Sequence, residues 1–154
     1  FITVIFLVPF HQSVSKAEIA PSINQSGRLA ILIAAPATKE KAMHNDITAM
    51  YDVLLKRGFA PREILVIEGP LNHTLLMAIL QESSKQIKQW KNGEVFLYYT
   101  GHGEFTGDSL SNVRPGVALS GEPGEASESF VGWDEIFQVL DLSPAIKLLL
   151  LADS

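Results

Sequence analysis

Residues Leu29 to Ala35 (LAILIAA) are apolar without a break and have the length of one strand. A strand that shows one face to water alternates apolar and polar residues, so an unbroken run predicts a strand covered on both faces, as in a parallel sheet packed between helices. Parallel strands need crossover connections, and the following residues have the pattern of one. Met43, Ile47, Met50 and Leu54 recur at spacings of four, three and four, which places them on one side of a helix that ends near Gly58. Glu63 to Glu68 (EILVIE) is a second β-branched run, stopped by Gly69-Pro70, with Asn72 placed to cap the next helix. Leu76, Ile79, Leu80, Ile87 and Trp90 mark the inner face of that helix, with Lys85, Lys88 and Lys91 turned to solvent and Asn92-Gly93 as its end. Val95 to Thr100 (VFLYYT) and Ile146 to Ala152 (IKLLLLA) read as the third and fourth strands, and Trp133 to Leu140 (WDEIFQVL) as a short helix before the last. Strands and helices in this alternation predict an α/β fold, a three-layer α/β/α sandwich around a mainly parallel sheet with right-handed crossovers.

One long stretch interrupts the alternation. Gly101 to Gly132 is rich in Gly, Ser and Glu, and only Val117 to Leu119 within it reads as a strand. Long irregular segments inside compact domains are usually functional or mobile. At the other end, Phe1 to Phe10 (FITVIFLVPF) is far shorter than the roughly 20 apolar residues that cross a bilayer, so no membrane span is expected. Ser15-Lys16-Ala17 puts small residues where a leader peptidase accepts them, so residues 1–17 are read as a signal peptide lacking its start. That reading implies export to a periplasmic or extracellular location; the competing reading is a buried first strand in a cytoplasmic protein. Residues 18–27, broken by Pro21 and Gly27, read as a linker, and residues 28–154 as the folded domain.

At 154 residues, 47% hydrophobic and 19% charged, the chain is expected to form one domain with a core that needs neither metal nor disulfide, in keeping with its lack of cysteine. A formal net charge of -5 argues against a phosphate-binding face, so no nucleic-acid partner is expected. His11, His44 and His73 are dispersed without metal-ligand spacing, and no phosphate-binding glycine loop follows the first strand. His102-Gly103-Glu104 has the His-x-Glu form of zinc deaminases but lacks the paired cysteines that those enzymes use as ligands.

Reacting groups in open parallel sheets gather beyond the carboxyl ends of the strands. Two polar clusters sit there: Thr100-Gly101-His102-Gly103 after the third strand and Asp153-Ser154 after the fourth. If these strands are neighbours, the clusters face each other. A histidine between two glycines has little steric cover, so its imidazole can meet a substrate, and the next backbone N–H can approach an oxyanion. The plain alternative is a turn whose histidine is satisfied at the surface.

Tyr98-Tyr99-Thr100-Gly101-His102-Gly103 resembles the histidine motif of caspases and metacaspases, in which a strand ends in aromatic residues followed by Ser-Gly-His-Gly or a near variant. Leu148 to Ser154 (LLLLADS) resembles the strand before their catalytic cysteine, which in metacaspases runs into Asp-x-Cys. Asn45-Asp46 matches their Asn-Asp pair and Gly58-Phe59 their helix ending, so the resemblance covers Arg28 to Ser154. It implies the caspase-haemoglobinase type of sandwich and a cysteine-type endopeptidase acting on peptide or protein substrates. The nucleophile is expected one position beyond Ser154, so these residues by themselves should be inactive. The resemblance gives His102 the role of general base or imidazolium partner of the thiolate, and Gly103 that of one oxyanion donor, the other being the backbone of the cysteine. Asp46, Thr100 and Asp153 match positions that line the pocket for the residue before the scissile bond. Two carboxylates there favour a cationic side chain, which implies cleavage after Arg or Lys. No cofactor is implied, with calcium dependence left open because some members have it.

Several alternatives stay open at this point. Asp46 reads equally as an exposed early-helix acid favoured by the helix dipole, and Asp153 as a residue that merely ends its strand. Ser154 would be the nucleophile only if the motif were shifted by one residue. Other whole-chain readings are a legumain-like peptidase of the same fold, a non-catalytic caspase-like binding module, or a flavodoxin-like domain sharing the layered sheet.

Overall fold

A computed structural model describes residues 26–35, 41–69, 71–107, 109, 112–119 and 130–153. The apolar run at Phe1 to Phe10, the cleavage pattern at Ser15 to Ala17, most of the expected linker, and Ser154 lie outside the described residues. The elements in chain order are β1 (Ser26–Ala35), α1 (Lys41–Lys56), a 3-10 turn (Pro61–Glu63), β2 (Ile64–Glu68), α2 (His73–Ile87), β3 (Asn92–Gly101), β4 (Gly103–Thr106), β5 (Arg114–Ala118), β6 (Phe130–Gly132), α3 (Trp133–Leu140) and β7 (Ile146–Asp153).

The protein is α/β, with a four-stranded sheet in the order β2-β1-β3-β7. Every pairing in it is parallel, and β1 lies between β2 and β3, with Ala30 opposite both Ile64 and Phe96. The unbroken apolar run of β1 has the physical reason expected of it. Leu29, Ile31, Ile33 and Ala35 enter one core with Val95, Leu97 and Tyr99 of β3 and Leu76, Leu80, Ile136 and Leu140 of α2 and α3. Ala30, Leu32 and Ala34 enter a second core with Tyr98 and with Met43, Ile47 and Leu54 of α1. Alternate side chains of one strand thus serve two layers, and α1 covers one face while α2 and α3 cover the other. Right-handed crossovers running in opposite directions from β1 require this split.

α1 ends as anticipated at Gly58, whose φ of 84° is the left-handed conformation of a helix C-terminus. Asn72 caps α2, its side chain accepting the Leu75 N–H at 2.8 Å. Three boundaries differ from expectation. Trp90 packs on the first core but lies past the end of α2 at Ile87, and Asn92-Gly93 open β3 instead of closing the helix. β1 begins at Ser26, so it takes in two residues read as linker. The glycine-rich stretch holds a second, antiparallel sheet in the order β4-β5-β6, where one short strand was expected. Arg114-Pro115 is exposed and only the end of β5 is buried, so no alternation marked it beforehand.

β7 is an edge strand of the parallel sheet among the described residues, and apart from Ile146 it is largely uncovered, with Leu149 61% exposed. No helix among the described residues is long and apolar enough to cross a membrane.

Candidate active site

β1 and β3 are neighbours whose onward connections leave in opposite directions, one through α1 to β2 and the other through α3 to β7. Such a reversal opens a crevice at the carboxyl ends of the two strands, because the flanking helices lie on opposite faces of the sheet. Ala35 and Gly101 are register partners at that crevice. The chain can turn there only because residue 101 is glycine. Its φ is 155°, and a Cβ would overlap the Ala35 carbonyl oxygen and the Tyr99 hydroxyl. His102 follows at the junction of β3 and β4 and is exposed; among the described residues its imidazole has no hydrogen-bond partner.

Thr100 precedes this turn and faces α1. Its hydroxyl is buried and donates to Asp46 Oδ2 at 3.1 Å, while Asp46 is half-buried one turn into α1. Asp153 is the register partner of Thr100 on β7, at the same level of the sheet. Tyr98 reports the proximity of the two acids. Burial raises its hydroxyl above the ordinary value, a hydrogen bond with Thr100 opposes the rise, and the Asp46 and Asp153 carboxylates add to it. The structure therefore brings Asp46 and Thr100 into contact and sets Asp153 beside Thr100.

Gly103 begins β4 opposite Val117, and the Ala118 N–H donates to the His102 carbonyl at 2.9 Å. A bond between the residue before Gly103 and the residue after Val117 makes Gly103–Val117 a non-hydrogen-bonded antiparallel pair. The Gly103 N–H is therefore directed away from β5, and among the described residues β4 is an edge of its sheet. This amide is not consumed by the ladder.

Sequence reasoning missed the role of Tyr99. Its hydroxyl lies 2.9 Å from the Ala35 carbonyl, 2.8 Å from that of His102 and 3.0 Å from that of Ala118. Burial pushes the hydroxyl far above its ordinary value, so it stays a donor. The available signal was a phenol inside an otherwise apolar buried strand, since a buried tyrosine needs a partner for its O–H.

Two histidines away from His102 are paired with acids. His44 Nδ1 lies 2.9 Å from Glu68 Oε1, and His73 Nε2 lies 2.8 Å from Glu135 Oε2. Arg114 also holds Glu135 at 2.8 Å and Asp134 at 2.9 Å, tying β5 to α3. Among the described residues, no three His, Asp or Glu side chains converge as a metal site requires. A cavity of about 740 Å³ between α1 and β7, lined by Met50, Leu54, Phe59, Phe96, Leu149 and Leu151, contains none of the polar residues described above.

The chain matches no protein-family model and no curated protein.

Proposed function

We propose that this chain is the histidine-bearing part of a cysteine-type endopeptidase of the caspase-haemoglobinase fold, cleaving peptide bonds after Arg or Lys. The reading rests above all on the convergence of Asp46, Thr100 and Asp153 at the carboxyl ends of β3 and β7, next to the exposed His102. In support, residues far apart in sequence that match the family's pocket positions come to the carboxyl end of β3, where Asp46 bonds to Thr100 and Asp153 is its partner on β7, beside the β1–β3 crevice at which open α/β sheets bind ligands.

In this mechanism the thiol comes from a cysteine following Ser154 and is held as a thiolate by the His102 imidazolium. The thiolate attacks the scissile carbonyl carbon, and the oxyanion receives the Gly103 N–H and the amide of the cysteine itself. His102 gives its proton to the departing amine, then takes one from the water that hydrolyses the thioester. Asp46 and Asp153 flank the cationic side chain before the scissile bond, and Thr100 orients Asp46 by donating to one oxygen, leaving the other for the ligand.

The test is to assay the full-length protein on Arg, Lys, Asn and Asp reporter peptides. The expected result is cleavage after Arg or Lys, abolished in His102→Ala. Asp46→Asn should lower kcat/KM on the Arg peptide by about 10- to 100-fold, the worth of one charge-assisted hydrogen bond. Cleavage after Asn would instead identify the legumain-like branch, and a silent wild-type protein would leave a binding module.

A further inference from the structure

We propose that the Tyr99 hydroxyl is the positioning group for His102, fixing the histidine backbone to the ends of β1 and β5 while its imidazole stays free to move. The inference rests on the peptidase reading for its catalytic consequence, but its structural part stands alone.

A phenol carries one proton, yet three carbonyl oxygens lie within hydrogen-bond reach of Tyr99, from Ala35, His102 and Ala118. The Ala35 oxygen ends β1, the Ala118 oxygen ends β5, and the His102 oxygen belongs to the link between the two sheets. Three partial negative charges converging on a buried point repel one another. The hydroxyl is the proton-bearing group that draws them together, and in a low-dielectric site its effect is larger than in water. The His102 carbonyl receives a second donor from the Ala118 N–H at 2.9 Å.

The phenol itself is held in place. Its ring meets the Trp133 indole edge to face, at 6.0 Å between centroids and 87° between planes. Trp133 opens α3, and α3 is tied to β5 by the Arg114 ion pairs. Gly101 completes the arrangement, because any side chain there would displace the hydroxyl from Ala35. The parallel and antiparallel sheets thus meet at one oxygen atom whose ring packs on α3 through Trp133, 2.8 Å from the carbonyl oxygen of the residue that needs an accurate position.

The experiment uses Tyr99→Phe in the full-length protein, with Ser84→Ala as a stability control. Ser84 is buried and donates to the Leu140 carbonyl at 2.8 Å, so its loss removes a comparable hydrogen bond in the same core without touching His102. Tyr99→Phe should lower kcat on an Arg peptide by about 10- to 100-fold with KM within about twofold, as small misplacement of a catalytic group does. By NMR, exchange of the Ala118 amide should quicken at least about tenfold, the equivalent of about 1.4 kcal/mol, relative to the other amides of β5. Ser84→Ala should change neither readout. An unchanged kcat and Ala118 exchange in Tyr99→Phe, or an equal effect in Ser84→Ala, overturns the proposal. Should the wild-type protein prove silent, the peptidase reading fails by itself. Ala118 exchange then decides the positioning role, for it if quickened and against it if unchanged.

Discussion

Replacing Gly101 by alanine tests the geometry of the crevice directly, and Gly58 offers a matched reference. Both glycines have positive φ, 155° and 84°. Around Gly58 a Cβ would meet nothing within 4 Å, so Gly58→Ala should cost only the left-handed strain, about 1–2 kcal/mol. Gly101→Ala carries conformational strain of about 1–3 kcal/mol and, in addition, an overlap with the Ala35 carbonyl oxygen, a backbone atom that cannot rotate aside. Relieving that overlap separates β1 from the β3 turn and parts Tyr99 from Ala35, leaving a buried carbonyl short of a donor at a further cost of about 1–3 kcal/mol. The expected total is about 3–5 kcal/mol, or on the order of 10 °C in Tm for a domain of this size. Urea unfolding measures the difference, provided the slope with denaturant is the same in both variants. If Gly101→Ala proves no more destabilising than Gly58→Ala, the close approach of Ala35, Gly101 and Tyr99 is wrong, and the positioning argument for His102 loses its basis.

Asn72→Ala should cost about 1 kcal/mol in the same unfolding assay, because it leaves the Leu75 N–H at the start of α2 without its acceptor. Glu135→Gln should weaken the fold by up to about 1 kcal/mol at pH 7, in the range of partly exposed ion pairs. His73 and then Arg114 hold the Glu135 carboxyl below its ordinary value, so its contribution is present above the unfolded pKa and lost as pH falls through the folded one. The gap between wild type and Glu135→Gln should therefore close below about pH 4, and a gap that widens on acidification would contradict the pairing.

The parallel sheet was legible because burial on both faces leaves a mark that little else produces. Leu29 to Ala35 and Val95 to Tyr99 are apolar at consecutive positions since α1 claims one set of side chains and α2 with α3 the other. α3 was legible to the residue, with Gly132 before it and Asp141 in a left-handed conformation after it. The antiparallel sheet was not, because its strands are short and none shows a period. Gly103 to Thr106 buries no residue, and Phe130 to Gly132 is buried throughout and too short for any period to appear. Of the candidate site, the resemblance to metacaspases pointed to Asp46, Thr100 and Asp153, and a hydrogen bond joins the first two while a strand register sets the third beside Thr100. That the Tyr99 hydroxyl needs a partner could be read from its place in an apolar run, but which partners it has could not, because its acceptors are backbone atoms that leave no trace in a sequence.

The bare edge formed by β7 has a consequence for handling the protein. Leu148, Leu149 and Leu151 stand 37%, 61% and 46% exposed along a strand with one hydrogen-bonding side open among the described residues. A row of free amides and carbonyls flanked by leucines is a template on which a second strand can grow, and Lys147 is the only cation within β7 to discourage it. By this reasoning, self-association in concentrated solution should begin at this edge, and light scattering as a function of concentration checks it. A charged substitution at Leu149 is accordingly the first change to make in preparing samples for spectroscopy, since that side chain is the most exposed of the three leucines and contributes least to the core.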